Sequence, residues 1–576
     1  MLVDISQAKI IEKLNAYLTY NNSSLKLNPT GVCNGLAYVY AKYVFENKEQ
    51  EFFKILEHIS QGSKSKDFSD DEINYFIMQV MLAYLPQEYD QKLSQQSSGQ
   101  ILKVNDKPLN SIFNFSLVTT DQNWAEIFKS IALEKDEVMI ITGVGHAVAV
   151  RKVNDHYLLY DSNNPSGLKE LFNEEKLAIE LHKQSLRYTS QNMALNIHIL
   201  PHPEKQVKRS HPFPEPIHLY DSHIKSNEEA TATATSSTGK IVNTLYYAAH
   251  SGDKDTLEYL LHFKWTSDNI KQATIVAIEA NNINAIKPLV KQVEQRGFPD
   301  FHPWLLRLAL ISGRYEVCDT LLEDPAFKHY YTDRLNLNIS STNISFRKDL
   351  PFAIQAIDFA AQGGNEKLLK EVLNNAKNFS QLQNFLNAGS VDKTNCLYSV
   401  IDSTIKNTIN SGSGECMTLL MEEIKPLQFS AEDKLDYLLL AIRQNKSQVA
   451  VALIKVIEMD EGPELAKKLF STITIPDQAA KNMNLAFLRR LEKHGVKLSP
   501  TVKLIIQDRE HKEVGLTGTA SLLFSKFTGF FKTEVLSGTP PIPEIDREKL
   551  KMFKDELKSI KLEMKSSSDS GTYFHN

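Results

Sequence analysis

The sequence predicts an α+β domain followed by an all-α stack of helical repeats. Between residues 137 and 200, apolar runs alternate with short polar turns, and segments whose apolar residues recur at helical spacing precede them. Beyond residue 240, paired helical patterns separated by Gly or Asn return several times. Because 576 residues exceed what one hydrophobic core covers, several domains are expected.

The composition is typical of a soluble protein, with 42% hydrophobic and 23% charged residues. The formal net charge of −5 gives no reason to expect a nucleic-acid partner. The four cysteines lack the CxxC spacing of zinc sites, so the sequence predicts a reducing compartment, no metal and no cofactor. The sequence has no secretory signal and no apolar run long enough to span a bilayer, which predicts an intracellular site of action.

Helical patterns make up most of the predicted α+β domain. Their apolar residues fall on one face, which indicates helices packed on a common core. They cover residues 5–20, 33–44, 51–59, 71–85, a segment that opens at Thr120 or Asp121 and carries Trp124, and 174–186. Residues 91–114 are less regular and partly polar, which favours a border of a cleft, and 192–200 is the last predicted strand.

A hairpin is predicted within residues 137–161. Two apolar runs, 138–153 and 157–160, are joined by a polar turn at 154–155. His146 opens the first strand proper and Asp161 closes the second. Because the chain doubles back between them, we expect the carboxylate to lie beside the imidazole at one end of the ladder.

Cys33 is the candidate nucleophile for this pair. It begins a segment whose apolar residues recur at helical spacing, and a thiol in the first turn of a helix faces the positive end of the helix dipole. That position favours the thiolate, which is the nucleophilic form, and a neighbouring imidazolium favours it further. Taken singly, Cys33 and His146 have a structural explanation as buried core residues. Their joint order with Asp161 favours a catalytic site.

The Cys, His, Asp order, the small and apolar residues around Cys33, and the short motifs around His146 and Asp161 resemble those of the papain-fold cysteine proteases. More narrowly, they are similar to the YopT-like group that bacteria inject into host cells. The resemblance covers the first 200 residues and implies a papain-like, α+β cysteine protease domain at 1–200. A helix carrying the Cys would then pack against the strands that carry His and the acid.

The resemblance also implies a role for each residue. Cys33 would be the nucleophile, His146 the general base and then acid, and Asp161 the group that fixes the ring. Asn28, five residues before Cys33, would donate to the oxyanion together with the Cys33 backbone N–H.

The composition changes at residue 201. Residues 201–240 are rich in Pro, His, Thr, Ser and Ala, which predicts a linker. The four histidines of this segment are irregularly spaced and have no Cys partners, so no metal site is predicted here.

Residues 241–500 are repetitive. The segment 244–263 closely resembles an ankyrin repeat, and degenerate copies follow. The equivalent turn positions are Gly252, Asn282, Gly313, Gly364 and Asn445. The spacing of the later copies requires insertions such as 328–350, or a poor copy at 414–421. Each helix pair buries its apolar face only against its neighbours, and such a stack usually binds another protein; a scaffold without a ligand is the alternative.

Residues 501–576 are predicted to form a helical cap and tail. An apolar stripe at 515–538 suits a membrane surface, a host protein or the last repeat, and the few flanking basic residues favour packing on the repeat. A charged helix and a polar, disordered tail are predicted to follow. The acidic, small-residue C-terminus resembles the export signals of type IV secretion effectors.

The combination of a YopT-like domain with ankyrin repeats resembles the ankyrin-repeat effectors that Legionella-type bacteria translocate into host cytoplasm. It implies a virulence protein secreted without a cleaved signal peptide, acting in the host cytoplasm or nucleus. The expected function is a thiol hydrolase, a cysteine protease acting on a protein or peptide substrate, which the repeats direct to a host protein. A deamidase or acyltransferase would use the same three residues. The rival hypothesis is a non-catalytic host-protein-binding effector whose Cys pocket is a relic or a binding groove.

Overall fold

The computed structural model describes residues 4–20, 31–61, 68, 70–84, 86, 98–224, 233–251, 254–297, 301–333, 350–388, 393–475, 480 and 485–513. Asn28, the predicted turn residue Gly252, the apolar stripe at 515–538, and the charged helix and tail predicted after it lie outside the described residues. The described part contains a layer of helices, a six-stranded sheet and a stack of helix pairs. None of its helices is long and apolar enough to cross a membrane.

The first helical layer precedes the sheet in sequence. Its helices are α1 (Gln7–Tyr20), α2 (Cys33–Phe45), α3 (Glu49–Gln61), α4 (Asp70–Tyr84) and the short α5 (Ser98–Ile101). Helix α2 is buried on nearly every side, which its run of apolar and small residues permits. Gly35 lets α2 approach α4 closely, since a Cβ there would lie 2.2 Å from the Val80 carbonyl oxygen.

The sheet is antiparallel throughout, in the order β3-β8-β4-β5-β6-β7. A two-stranded ribbon precedes it. The strands are β1 (Lys103–Val104), β2 (Lys107–Pro108), β3 (Phe113–Thr120), β4 (Glu137–Gly143), β5 (His146–Val153), β6 (His156–Tyr160), β7 (Leu168–Leu171) and β8 (Asn192–Pro201). Helix α6 (Asp121–Ile131) joins β3 to β4, and α7 (Glu174–Glu180) with a π-helical turn, Leu181–Ser185, joins β7 to β8.

The predicted hairpin is confirmed as the β5–β6 pair, with Asn154 at its turn in the left-handed region at φ 52°. The prediction that His146 opens the first strand of this hairpin is confirmed, but the part of the apolar run before it forms a separate strand, β4, that was not predicted. Gly145, at φ 72°, turns the chain between β4 and β5, so this stretch forms two paired strands. Strands β3 and β7 were not predicted. Strand β3 begins inside the stretch 91–114, for which the sequence predicts irregular structure.

The sheet separates two hydrophobic cores. Alternate residues of each strand point to opposite faces, so β5 sends Ala147 and Ala149 towards α1–α4. Val148 and Val150 point to the other face, where α6, α7 and the helical stack cover the sheet. Trp124 of α6 is fully buried there and donates its indole N–H to the Met193 carbonyl at 3.2 Å. The predicted packing of this tryptophan on the sheet is confirmed.

The segment 201–240 differs from the predicted linker, because its described part packs on the sheet. It contains α8 (Pro216–His223) and β9 (Thr233–Thr235), which pairs with β10 (Ile241–Asn243). Phe213 stacks on Phe113 with ring centroids 4.7 Å apart, and Tyr220 is buried. The composition of this segment predicts that it is solvated, but a few aromatic side chains pack it on the sheet.

We expect Arg209→Ala to destabilise the protein strongly. Arg209 donates to the Glu137 carboxylate at 2.6 Å and also to the Ile131 carbonyl, and Glu137 is fully buried. Removing the guanidinium leaves a buried carboxylate without its partner, which costs about 3–5 kcal/mol. Lys205→Ala is the matched control, because Lys205 pairs with Asp136 at 2.7 Å with both side chains exposed. Its loss costs less than about 1 kcal/mol in the same urea titration. Equal losses would contradict a packed segment.

The helical stack follows the sheet. Its helices are α9 (Thr244–Ser251), α10 (Lys254–Leu260), α11 (Ser267–Glu279), α12 (Ile283–Gln295), α13 (Phe301–Ile311), α14 (Tyr315–Leu322), α15 (Pro325–Asp333), α16 (Phe352–Gly363), α17 (Glu366–Ala376), α18 (Ser380–Leu386), α19 (Cys396–Ser411), α20 (Gly414–Glu423), α21 (Ala431–Arg443), α22 (Ser447–Glu461), α23 (Pro463–Phe470), α24 (Leu485–Lys493) and α25 (Pro500–Glu513). The first helices of successive pairs, α9, α11, α13, α16, α19 and α21, pack on one another in series. Neighbouring pairs therefore share one core.

Turn residues in the left-handed region separate the two helices of most pairs. Gly313 has φ 65°, Gly364 has φ 67° and Asn445 has φ 57°, at the predicted positions. In the second pair this residue is Asn281, one position before the predicted Asn282. The expected poor copy at 414–421 is half of a complete pair, α19 and α20, with Gly412 at its turn.

Side chains after these turns link one pair to the previous pair. Asn282 Nδ2 donates to the Ala249 carbonyl at 2.9 Å, and Asn365 Nδ2 donates to the Gly313 carbonyl at 2.9 Å. Lys446 Nζ reaches the Asn410 carbonyl at 2.6 Å in the same way. These bonds satisfy carbonyls at helix ends and fix the spacing of the pairs.

Candidate active site

His146 and Asp161 form the centre of the site. His146 is the first residue of β5, and Asp161 directly follows β6, so the antiparallel pairing brings them to the same edge of the sheet. The distance from His146 Nε2 to Asp161 Oδ1 is 2.7 Å, and both side chains are buried. Because Nε2 is engaged by the carboxylate, Nδ1 is the nitrogen left to face a nucleophile.

Cys33 lies beside this ring. It is the first residue of α2, and its thiol is within hydrogen-bonding reach of the His146 imidazole. Val32, which precedes the helix, provides no side-chain cap, and the N-terminal N–H groups of α2 favour negative charge near the sulfur. The structure thus brings Cys33, His146 and Asp161, the three residues predicted from the sequence, into one chain of contacts.

The charges of the three groups favour an ion pair. Burial opposes the charged imidazole, but hydrogen bonds to Asp161 and Cys33 and the negative charges of both outweigh it and raise the pKa of His146 to about 9. Burial likewise acts to raise the pKa of Asp161, but its hydrogen bond to His146 and the imidazolium charge lower it overall. At neutral pH the site therefore favours a His146 imidazolium that is paired with the Asp161 carboxylate and lies beside the Cys33 sulfur.

Contacts away from the reacting atoms lock the three supporting elements together. Tyr40, two turns after Cys33 on α2, stacks on Tyr160 at the end of β6 with ring centroids 4.7 Å apart. The Tyr40 hydroxyl donates to Glu49 Oε1 at 2.6 Å. Arg151 of β5 donates to both oxygens of the same carboxylate, at 3.1 and 2.6 Å. The helix that bears the thiol is therefore held on the strands that bear the ring and the acid.

Asn163 is a positioning residue whose role was not predicted. Its backbone N–H donates to Asp161 Oδ1 at 2.8 Å, and its Nδ2 lies 3.4 Å from Nδ1 and 3.3 Å from Nε2 of His146. Its Oδ1 accepts from Gln7 Nε2 of α1 at 2.6 Å. The sequence signal was available, because Asn two residues after Asp is typical of a turn that closes on the carboxylate.

The oxyanion donors are described only in part. Asn28, the predicted side-chain donor, lies outside the described residues. The Cys33 backbone N–H, at the start of α2, has no acceptor within the helix and is in place to donate. The Asn34 amide cannot take the role, because its Nδ2 donates to the Ala83 carbonyl at 3.3 Å and to Ser98 Oγ at 3.0 Å.

A cavity of about 340 Å³ opens in front of Cys33 and His146. One wall is the start of α2, and the floor is the turn between β4 and β5. Asn196 and His198 of β8 line it as well. The sequence carried a signal for this pair, because two polar residues at positions i and i+2 share one face of an otherwise apolar strand.

The opposite wall of the cleft comes from the start of the helical stack, which was not predicted. Its residues are Lys240, Tyr246, Tyr247 and His250. The stack is attached to the sheet here, since the Val118 backbone N–H donates to Thr244 Oγ1 at 3.0 Å. Tyr188 then links the two parts: it lies 3.4 Å from the Tyr247 hydroxyl and accepts from the Val144 N–H at 3.1 Å. The turn that presents His146 thus rests on the first repeat.

His146 is expected to keep its proton up to about pH 9, which NMR titration of ¹³C-labelled histidine side chains measures directly. Because this pKa lies above the ordinary value of 6.5, the stabilising contribution is complete below pH 6.5 and is lost as pH rises through about 9. In Cys33→Ala the midpoint should fall, since a hydrogen bond and a negative charge are removed. A wild-type midpoint near 6.5 would rule out the ion pair.

A scan against protein-family models and searches of curated proteins and of solved structures found no match to this chain.

Proposed function

We propose that this protein is a thiol hydrolase, a papain-like cysteine protease with Cys33 as nucleophile, His146 as acid and base, and Asp161 as the group that orients the ring. One observation carries the proposal. A buried carboxylate holds Nε2 of an imidazole at 2.7 Å while the same ring contacts a thiol at the first turn of a helix, beside an open cavity. These are the roles that nucleophilic acyl transfer requires.

The first half of the reaction forms an acyl-enzyme. The Cys33 thiolate attacks the scissile carbonyl carbon, and the C=O π electrons move to the oxygen, which the Cys33 backbone N–H stabilises. When the oxyanion collapses, the C–N bond breaks and the His146 imidazolium gives its proton to the leaving amine. Asp161 stabilises the imidazolium before this transfer and fixes the tautomer after it.

The second half releases the acid. Neutral His146 takes a proton from water, and the water oxygen attacks the thioester carbon. The C–S bond then breaks and its electron pair returns to sulfur. This restores the thiolate and the imidazolium, so no external oxidant, metal or cofactor takes part in the cycle.

The helical stack supports a second part of the proposal, in which ankyrin-type repeats select the protein that is hydrolysed. Stacked helix pairs do not supply the chemistry, but their turns and exposed faces form an extended surface suited to a protein partner. Since the first pair also lines the cleft, a partner held on the repeats lies next to Cys33.

Mass spectrometry of a cell lysate treated with the wild type or with Cys33→Ala tests the proposal. A protease generates new N-termini only with the wild type, a deamidase converts Gln to Glu, and an acyltransferase adds a group to an amine. Cys33→Ala removes only the sulfur, so a partner bound by the repeats should still co-purify with it. Identical lysates with both proteins would favour the non-catalytic alternative.

A further inference from the structure

We propose that the first repeat forms a subsite for a carboxylate of the substrate, with Lys240 as its cation, so that the enzyme prefers an acidic residue close to the scissile bond. The inference rests on the proposed hydrolase and adds the substrate class. It assigns the helical stack a direct part in specificity, in addition to holding a partner elsewhere.

The first observation that supports this subsite is the position of Lys240. It follows the turn that leads into β10, it is exposed, and it lines the same cavity as Cys33 and His146. Its Nζ donates to the Tyr246 hydroxyl at 2.6 Å and lies 4.8 Å from the centre of that ring. The lysine is therefore held at the mouth of the cleft by the first helix of the stack, α9.

The second observation that supports this subsite is the balance of charges in the cleft. Burial lowers the pKa of His198 and of His250, which line the same cavity, to about 4 each; the charge of His250 adds to the effect at His198, and that of Lys240 adds to the effect at His250. No Asp or Glu is among the described residues that line the cavity. Around neutral pH this wall therefore presents a cation and two neutral imidazoles, and lacks an anion.

A carboxylate suits this wall better than a neutral or basic group. It would accept a charge-assisted hydrogen bond from Lys240. A basic side chain would meet like charge from Lys240 and from the His146 imidazolium. The same chemistry allows a side-chain carboxylate or a chain-terminal carboxylate, and both place negative charge within reach of the cleft mouth.

Alkylation of Cys33 in the full-length protein by two reagents that differ in charge tests the inference. Iodoacetate carries a carboxylate and iodoacetamide is its neutral amide, so the ratio of their rates reports the attraction of the cleft for a carboxylate. We expect Lys240→Met to lower this ratio about fivefold at low salt. Lys240→Arg and Lys205→Met, which changes a lysine paired with Asp136 outside the cleft, should leave it unchanged. The attraction of the His146 imidazolium for iodoacetate is the same in all variants, so it cancels when their rate ratios are compared.

Two other outcomes of this experiment would contradict different parts of the proposal. An unchanged ratio in Lys240→Met with a reactive Cys33 would overturn the carboxylate subsite and leave the hydrolase standing. A Cys33 that resists both reagents in the wild type would overturn both. Peptides that differ only by Glu or Gln next to the scissile bond then separate a side-chain carboxylate from a terminal one, since only a side-chain preference discriminates between them.

Discussion

His146→Ala is expected to remove nearly all hydrolysis and most of the reactivity of Cys33. The imidazole gives the leaving amine its proton and activates water, and losing such a group lowers kcat by about 10²- to 10⁴-fold. The variant also loses the cation next to the sulfur. Because a free cysteine is only a few per cent thiolate at neutral pH, alkylation of Cys33 at pH 7 should slow by about tenfold or more.

His156→Ala is the matched control. His156 lies on β6 of the same sheet, and its Nε2 is 3.2 Å from Glu170. Like His146→Ala, this substitution therefore removes a histidine that is paired with a carboxylate. It does not line the described cleft. We expect unchanged alkylation and turnover with His156→Ala, and equal effects of the two variants would contradict a specific role for His146.

Asp161→Ala should lower turnover by about 10²- to 10⁴-fold, because the ring loses both its orientation and the charge that stabilises the imidazolium. Asp161→Asn keeps a hydrogen-bond acceptor for Nε2–H and removes the charge. Its turnover should fall between those of the wild type and Asp161→Ala. Peptide hydrolysis and the NMR midpoint of His146 are measured together, since a merely structural role would leave the midpoint near 9.

The two Asp161 variants separate orientation from charge. Both should lower the pKa of His146, because the carboxylate charge helps to raise it. Only the alanine variant should also release the ring from its fixed position. Asp155→Asn, in the exposed turn between β5 and β6, controls for a change of net charge on the same hairpin. Loss of turnover in that control as well would point to a folding defect.

The sequence was sufficient to select the three residues of the proposed site because each lies where a local pattern changes. Cys33 begins a helix, and His146 and Asp161 flank a hairpin whose alternation fixes which ends meet. Register in such a hairpin follows from its apolar face and its turn. The distance between the carboxylate and the ring was therefore predictable without knowledge of the rest of the chain.

The walls of the cleft were not predictable by the same means. Lys240 and His250 line the same cavity as Cys33 because α9 packs on β3 and β8. The bond between Val118 of β3 and Thr244 of α9 joins residues 126 positions apart. No periodicity encodes it. The boundary drawn near residue 240 from composition consequently passes through a packed interface, where the sheet and the stack share one core.

The packing of the segment before α9 was also not predictable from its amino-acid composition. Pro, Ser and Thr predict a solvated connector, yet Phe213 and Tyr220 pack against aromatic rings of β3, and Arg209 pairs with the buried Glu137. The edge strand β7 was missed for another reason. Its two central residues, Lys169 and Glu170, are exposed and charged, so its apolar pattern is too short to stand out.

The relative alkylation rates of the four cysteines in the folded wild-type protein test the central claim most directly. Cys33, Cys318 and Cys416 are all buried, but Cys33 lines the cavity beside His146. Burial raises the pKa of Cys318, and Cys396 is half-buried on the stack. With iodoacetamide at pH 7 and mass spectrometric readout, we predict that Cys33 reacts at least about tenfold faster than each of the others. Equal rates for Cys33 and Cys396 would contradict an activated thiolate held by His146 and Asp161.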